Sequence, residues 1–250
     1  MISIDGLEEI HNKNRPYLSG GSTYSRIVQN VERFKQVLPK LKANMVVTKT
    51  DIPFVRRSVQ KLWELGVNSL SVALSFGSEQ AYESLDYTIW HDQIKELAGL
   101  TYHNIINDKP YFLDNLIESV RWLERPKKMA SCTLFNNGTF VFVPDGDIYK
   151  CHRNVGNAQY KIANVKDPHL NLLKYRLEKN KIEKCMNCWA QLLCDDGCPY
   201  EHVLRTGSID NPSEEWCSKT KIMQLESLKL YAKLTLHSRA QIKDLSANSV

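Results

Sequence analysis

The residues of this chain best suited to do chemistry are its seven cysteines, all of which lie in the second half of the sequence. Thirteen residues separate Cys132 from Gly146, and four separate Gly146 from Cys151. After a gap comes Cys185-x2-Cys188-x5-Cys194-x3-Cys198, and after another gap Cys217. Thiolates are soft ligands, used by iron–sulfur clusters and by structural zinc. Disulfides are the remaining use, but seven thiols cannot all pair, and Met1-Ile2-Ser3-Ile4-Asp5-Gly6 has neither the basic nor the apolar region of a secretion signal. A reducing, cytoplasmic setting with metal ligation is therefore expected. Iron–sulfur is the first reading and zinc the second.

The rest of the sequence must position those thiols. It has 250 residues, 42% of them hydrophobic, enough for one large domain or two small ones. The formal charge of +5, from 33 basic and 28 acidic residues, is spread along the chain and gives no reason to expect a nucleic-acid partner. No apolar run approaches the roughly 20 residues of a membrane helix, so no membrane partner is expected either.

In the first half, Ile2 and Ile4 alternate with polar neighbours as in a strand, and a polar loop follows. Ser22 or Thr23 then caps a helix with Tyr24, Ile27, Val28, Val31, Phe34 and Leu38 at helical spacing. Met45–Val47 reads as a buried strand. Val55, Val59 and Leu62 mark a helix ended by Gly66, and Leu70, Val72 and Leu74 a third strand. This alternation predicts an α/β fold with a parallel sheet. Helices on one side only would leave a sheet edge to be covered by further chain or by a partner. Pro110 is expected to open a helix through Phe112 and Leu123, with Tyr111, Phe112 and Trp122 in the core.

A linker near residues 124–128 leads into the cysteine-bearing half. Phe140 and Phe142 form a strand, Pro144-Asp145-Gly146 a tight turn, and Ile148-Tyr149 the return strand that delivers Cys151. A short strand is expected at Tyr160–Val165 and a short helix at Leu170–Leu177. The segment from Cys185 to Cys198 has little pattern, Asp195 and Asp196 within it read as a solvated turn, and a helix runs from Lys219 to Leu236.

The whole cysteine pattern resembles the SPASM domain of radical SAM maturases. The words "DGDIYKCHRNVGNAQYKIANV" (Asp145 to Val165) and "CMNCWAQLLCDDGC" (Cys185 to Cys198) look like its peptide-modifying members, including thioether-forming maturases. Upstream, "ISIDGLEEIHNKNRP" and "GGSTYSRIVQNVERF" resemble the fourth strand and following helix of a radical SAM partial (β/α)6 barrel. The resemblance implies the C-terminal half of such a barrel over residues 1–125. A small SPASM domain with a β-hairpin and C-terminal helix would follow over 126–237, then a polar tail over 238–250.

It further implies two auxiliary [4Fe-4S] clusters. Cys132, Cys151 and Cys198 would hold the first, and Cys185, Cys188, Cys194 and Cys217 the second. Ser3 and Asp5 would face S-adenosyl-L-methionine in a complete parent enzyme. His152 is a candidate catalytic group, standing where sulfatase-maturating relatives carry an Asp base. Gly138 stands where those relatives place a further cysteine, which would leave one iron open to a substrate thiolate. The SAM-cleaving C-x3-C-x2-C motif does not occur, since no cysteine precedes Cys132.

The chain is thus expected to be the C-terminal part of a maturase of ribosomally made peptides or proteins. Its expected partners are a precursor peptide, an N-terminal radical SAM half and an electron donor such as ferredoxin or flavodoxin. The alternatives are a non-enzymatic relic or electron-relay and peptide-binding subunit, and a zinc-stabilised interaction module.

Overall fold

The computed structural model describes residues 1–38, 40–76, 81–125, 132–135, 139–175 and 179–237. It divides into two compact units: Met1–Pro126 together with Ser218–Val250, and Lys127–Cys217.

The first unit is α/β. Strands β1 (Ile2–Ser3), β2 (Lys42–Val47), β3 (Ser69–Leu74) and β4 (Phe112–Leu113) pair in that order, all parallel. Helices α1 (Glu8–Asn14) and α2 (Tyr24–Lys35) lie between β1 and β2 in sequence. Helix α3 (Val55–Glu64) follows β2, α4 (Ser84–Ile106) follows β3, and α5 (Asp114–Glu124) follows β4.

The period of two in a strand separates the sheet faces. Ala43, Met45, Val47, Leu70, Val72 and Leu74 are buried, while Val46 and Ala73 between them are exposed. The buried row packs with Val59 and Leu62 of α3, Ile94 and Leu97 of α4, and Leu116, Ile117 and Val120 of α5. Met223, Leu230 and Leu234 of the long terminal helix, Glu214–His237, complete that core. The register aligns Ser3 with Asn44 and Asn44 with Ser71, so a polar row crosses the opposite face.

Asp5 ties the start of the chain to the sheet. Arg15 donates to its carboxylate twice, Nε to Oδ2 at 2.8 Å and Nη2 to Oδ1 at 3.1 Å, and the Val46 amide donates to Oδ1 at 3.0 Å. The Asp5 amide donates in turn to His11 Nδ1 at 3.1 Å. Gly6 follows in a left-handed conformation, φ +91°, where an added Cβ would stand 2.2 Å from Ser58 Cβ.

The predicted strand–helix alternation and parallel sheet are present, with four differences. The polar stretch after Gly6 forms α1, because it buries Ile10 and His11. Thr23 does not cap α2 with its side chain; Asn12 Oδ1 instead accepts from the Thr23 and Tyr24 amides at 3.2 and 3.1 Å. Phe112 and Leu113 form a fourth strand, and the helix begins at Asp114. Helix α4 was not anticipated; with Trp90, Ile94, Leu97, Ala98, Thr101 and Ile105 buried, it covers the sheet.

The second unit contains an antiparallel sheet of β5 (Val141–Phe142), β6 (Asp147–Tyr149) and β7 (Lys161–Asn164). The expected hairpin turns at Gly146, whose amide donates to Val143 C=O at 2.9 Å. Three short helices follow: α6 (Glu183–Met186), α7 (Gln191–Cys194) and α8 (Pro199–Thr206). Of the helix expected at Leu170–Leu177, only the turn Leu172–Lys174 forms, and residues 176–178 lie outside the described set, as does the tail from 238. The terminal helix, expected at Lys219–Leu236 as part of a domain over 126–237, groups from Ser218 onward with the first unit, because its apolar stripe enters that core.

His11 yields a prediction about pH. Its Nδ1 accepts the Asp5 amide, so the proton of the neutral ring lies on Nε2, which faces Thr23 Oγ1 at 3.0 Å. Burial lowers its pKa below the ordinary 6.5; the Asp5 charge offsets part of this and Arg15 adds to it. The unfolded chain therefore takes up this proton first on acidification. The stabilisation is complete above about pH 6.5 and is lost as pH falls through the depressed folded value. His11→Gln should lower stability at pH 7.5 by about 1–3 kcal/mol. It should also flatten the fall in unfolding midpoint between pH 7 and 5, followed by circular dichroism.

Candidate metal centre

None of the seven cysteines is in a disulfide. Two of them end or begin short helices: Cys194 closes α7, and Cys198 is the residue before Pro199, which opens α8. The backbone between them is left-handed for three successive residues, with φ of 53° at Asp195, 61° at Asp196 and 84° at Gly197. Such a run is uncommon for residues with a Cβ and persists only where surrounding contacts hold it.

Those contacts are present. Lys179 Nζ donates to Asp195 Oδ1 at 2.6 Å and to the Asp195 carbonyl at 2.9 Å, and pairs with Asp196 Oδ2 at 3.1 Å. Burial works to lower the Lys179 pKa, but its bonds to Asp195 and Asp196 outweigh this and hold it raised. From the other side, His202, fully buried, donates from Nε2 to the Asp196 carbonyl at 2.9 Å and accepts the Ser213 amide at Nδ1 at 3.3 Å. Burial lowers its pKa, as suits a ring that must keep Nδ1 unprotonated. The Trp216 ring meets His202 edge-on, 6.5 Å between centroids at 87°. Asp195 and Asp196, read on sequence as a solvated turn, are thus latched in place.

Cys185, Cys188, Cys194 and Cys217 lie near enough to act on one another's charge. Burial pushes the Cys185 thiol up to about 11, and Asp196, Cys217, Cys194 and Cys188 add to that. Burial also raises Cys194, opposed by the Trp216 indole N–H, which donates to its Sγ at 3.4 Å. Among the described residues, no group of three or more His, Cys, Asp or Glu side chains is drawn in tightly enough to hold a metal ion as it stands. The donor set consists of soft thiols held in no disulfide, a chemistry that fits iron–sulfur ligation. Binding must release the thiol protons, so loading and local folding are coupled.

Cys151 is buried at the end of the hairpin, and a short turn, His152–Asn154, follows it. From that turn Arg153 Nη1 reaches Cys198 Sγ at 3.5 Å and Glu201 Oε1 at 3.1 Å. Burial raises the Cys198 thiol, while the Glu201 amide and Arg153 pull it down. Cys132 opens a separate turn, in which the Phe135 amide donates to its carbonyl at 2.8 Å. Gly138 lies outside the described residues. The His152 side chain is exposed.

In the first unit, Ser3 is exposed on the polar sheet face, while Asp5 is buried with both carboxylate oxygens engaged. Lys179, His202, Glu201 and Trp216 were not singled out on sequence. The available signals were a tryptophan beside Cys217 and a histidine one helical turn after Cys198.

In sequence the chain is similar to anaerobic sulfatase-maturating enzymes, and in fold to solved structures of such an enzyme. Over 221 residues it is 27% identical to the cysteine-type anaerobic sulfatase-maturating enzyme of Clostridium perfringens (strain 13 / Type A), a match over 79% of this chain and 57% of that protein. The chain thus spans little more than half the length of this curated relative. Native anSMEcpe with bound AdoMet superposes with a TM-score of 0.75 at 19% identity, covering 94% of this chain and 68% of that one. The same enzyme with AdoMet and the Cp18Cys peptide gives 0.71 at 21% identity, with the same coverage. No family model matches the chain.

The latch can be tested at Gly197. A Cβ there would stand 2.7 Å from both His202 Nε2 and Trp216 Nε1, whereas at Gly207, φ +75°, it would meet nothing within 4 Å. Both Gly→Ala changes carry left-handed strain, but Gly197→Ala should cost about 1–3 kcal/mol more, through the lost contacts of His202. Limited proteolysis of the Cys185–Cys198 segment in the two variants measures the difference.

Proposed function

We propose that this chain is the C-terminal part of a radical SAM maturase that modifies a ribosomally made peptide or protein. In this reading the parallel sheet is the later half of a partial (β/α)6 barrel, and the cysteine-bearing unit is a SPASM domain with two [4Fe-4S] clusters. The observation that carries it is the spacing of the seven cysteines, with Cys194 and Cys198 at the two ends of one latched turn, in a fold shared with sulfatase-maturating enzymes.

Cys185, Cys188, Cys194 and Cys217 would hold one cluster, and Cys132, Cys151 and Cys198 the other. When bound, such clusters supply an electron store and, at an iron lacking a protein ligand, a seat for a substrate sulfur. The protein's own groups do the rest. Lys179 and His202 hold the turn that separates Cys194 from Cys198. Arg153 and Trp216 donate to the sulfurs. Ser3 presents a hydroxyl on the polar sheet face, where S-adenosyl-L-methionine would lie in a complete enzyme. Asp5, already satisfied, would serve that face by ordering β1 and Arg15. His152, exposed beside Cys151, is the candidate catalytic group of this reading.

A solved relative holds a peptide, and a peptide or protein substrate is proposed here by that likeness. An N-terminal radical SAM half bearing C-x3-C-x2-C, and a low-potential donor such as ferredoxin or flavodoxin, are the further partners proposed.

Anaerobic reconstitution should give about eight iron and eight sulfide per chain, and Cys188→Ser about half of each. One or two zinc ions without sulfide would replace this reading with a zinc-stabilised module. SAM cleavage requires a cluster whose ligand motif these 250 residues do not contain. The reconstituted and reduced chain should therefore form no 5′-deoxyadenosine from SAM, and adding an N-terminal half should restore its formation. Steady production by the chain alone, measured by chromatography, would overturn that assignment.

A further inference from the structure

Cys194 and Cys198 each receive a side-chain N–H, and the two donors differ in kind. Cys198 receives Arg153 Nη1 at 3.5 Å, from a charged guanidinium. Cys194 receives Trp216 Nε1 at 3.4 Å, from a neutral indole. The two sulfurs sit at either end of the left-handed turn and, in the function proposed above, belong to different clusters.

Each donor is held from behind. Arg153 is paired to Glu201 at 3.1 Å, and that carboxylate is only 6% exposed, so it is oriented by its surroundings more than by solvent. The Arg153 guanidinium also lies 5.9 Å from the centre of the Tyr200 ring. Trp216 is fixed by its edge contact with His202 and by its amide, which donates to Ser213 Oγ at 3.2 Å.

We propose that Arg153 and Trp216 are positioning residues that set the reduction potentials of the two clusters separately, Arg153 for the cluster on Cys198 and Trp216 for the one on Cys194. The inference rests on the iron–sulfur reading of the cysteines. An N–H aimed at a ligating sulfur stabilises the cluster more once it has gained an electron, so it raises the potential. Each cluster takes one electron from an external donor, and no bond is made or broken. Glu201 tempers Arg153, because its negative charge beside the guanidinium opposes reduction. The arrangement gives one cluster a charged donor that a neighbouring carboxylate adjusts, and the other a neutral donor with fixed strength.

The test uses the reconstituted 250-residue protein, titrated with dithionite and followed by electron paramagnetic resonance, with no activity assay. Trp216→Phe should move one midpoint to lower potential and leave the other in place. Arg153→Gln should move the other midpoint downward. Glu201→Gln should move that same midpoint upward, a shift of opposite sign that decides the matter even if Arg153→Gln fails to take up iron. Midpoints unchanged in all three variants, or both clusters moving together in each, would overturn the inference while leaving the clusters themselves established. Zinc in place of iron, with no reducible signal in the unaltered protein, would overturn the underlying reading and this inference with it.

Discussion

Cys194 and Cys198 are separated by three residues, all of them left-handed, and the arrangement of the second unit depends on that turn. In a right-handed helix residues four apart share a face, and two thiols at this spacing would point the same way. Reversing the backbone at Asp195, Asp196 and Gly197 breaks that equivalence, so that one sulfur meets an indole and the other a guanidinium. A local conformation of this kind is intrinsically unfavourable. It exists because Lys179 pairs with both aspartates and His202 grips the Asp196 carbonyl. Charge, hydrogen bonding and the absence of a Cβ at Gly197 therefore act on a single short stretch.

The first unit solves a different problem by a related device. Asp5 is a buried carboxylate, which would be costly without partners. The Arg15 fork and the Val46 amide satisfy it, and in doing so they fasten the end of β1 to both β2 and the segment after α1. The two-residue strand β1 has little ladder of its own, so this side-chain link supports its register.

Much of this was legible in the sequence. The alternation in Ala43–Val47 and Leu70–Leu74, and the helical spacing of Val55, Val59 and Leu62, are strong local signals, and a parallel sheet follows from their order. The spacing of the seven cysteines singled out the thiols on which the proposed clusters rest. Short or mixed signals were harder. Phe112-Leu113 continues into an apolar helical stripe, so a two-residue strand held by pairing with β3 is invisible locally. Helix α1 depends on burying Ile10 and His11 against distant chain, and a seven-residue polar helix gives little intrinsic sign of itself. The latch was unreadable because Lys179 and Asp195 are sixteen residues apart, and a pair of aspartates looks the same whether solvated or clamped.

The sheet register has a consequence for how the protein can change over time. Ile2, Ala43, Leu70 and Leu113 align on one row, largely buried, and Ser3, Asn44 and Ser71 align on the next, facing the other way. The first row is constrained by packing, whereas the second contributes little that folding requires. Substitutions at Ser3, Asn44 and Ser71 can therefore accumulate without loss of the fold, and a lineage could alter the chemistry of this face while keeping the same scaffold.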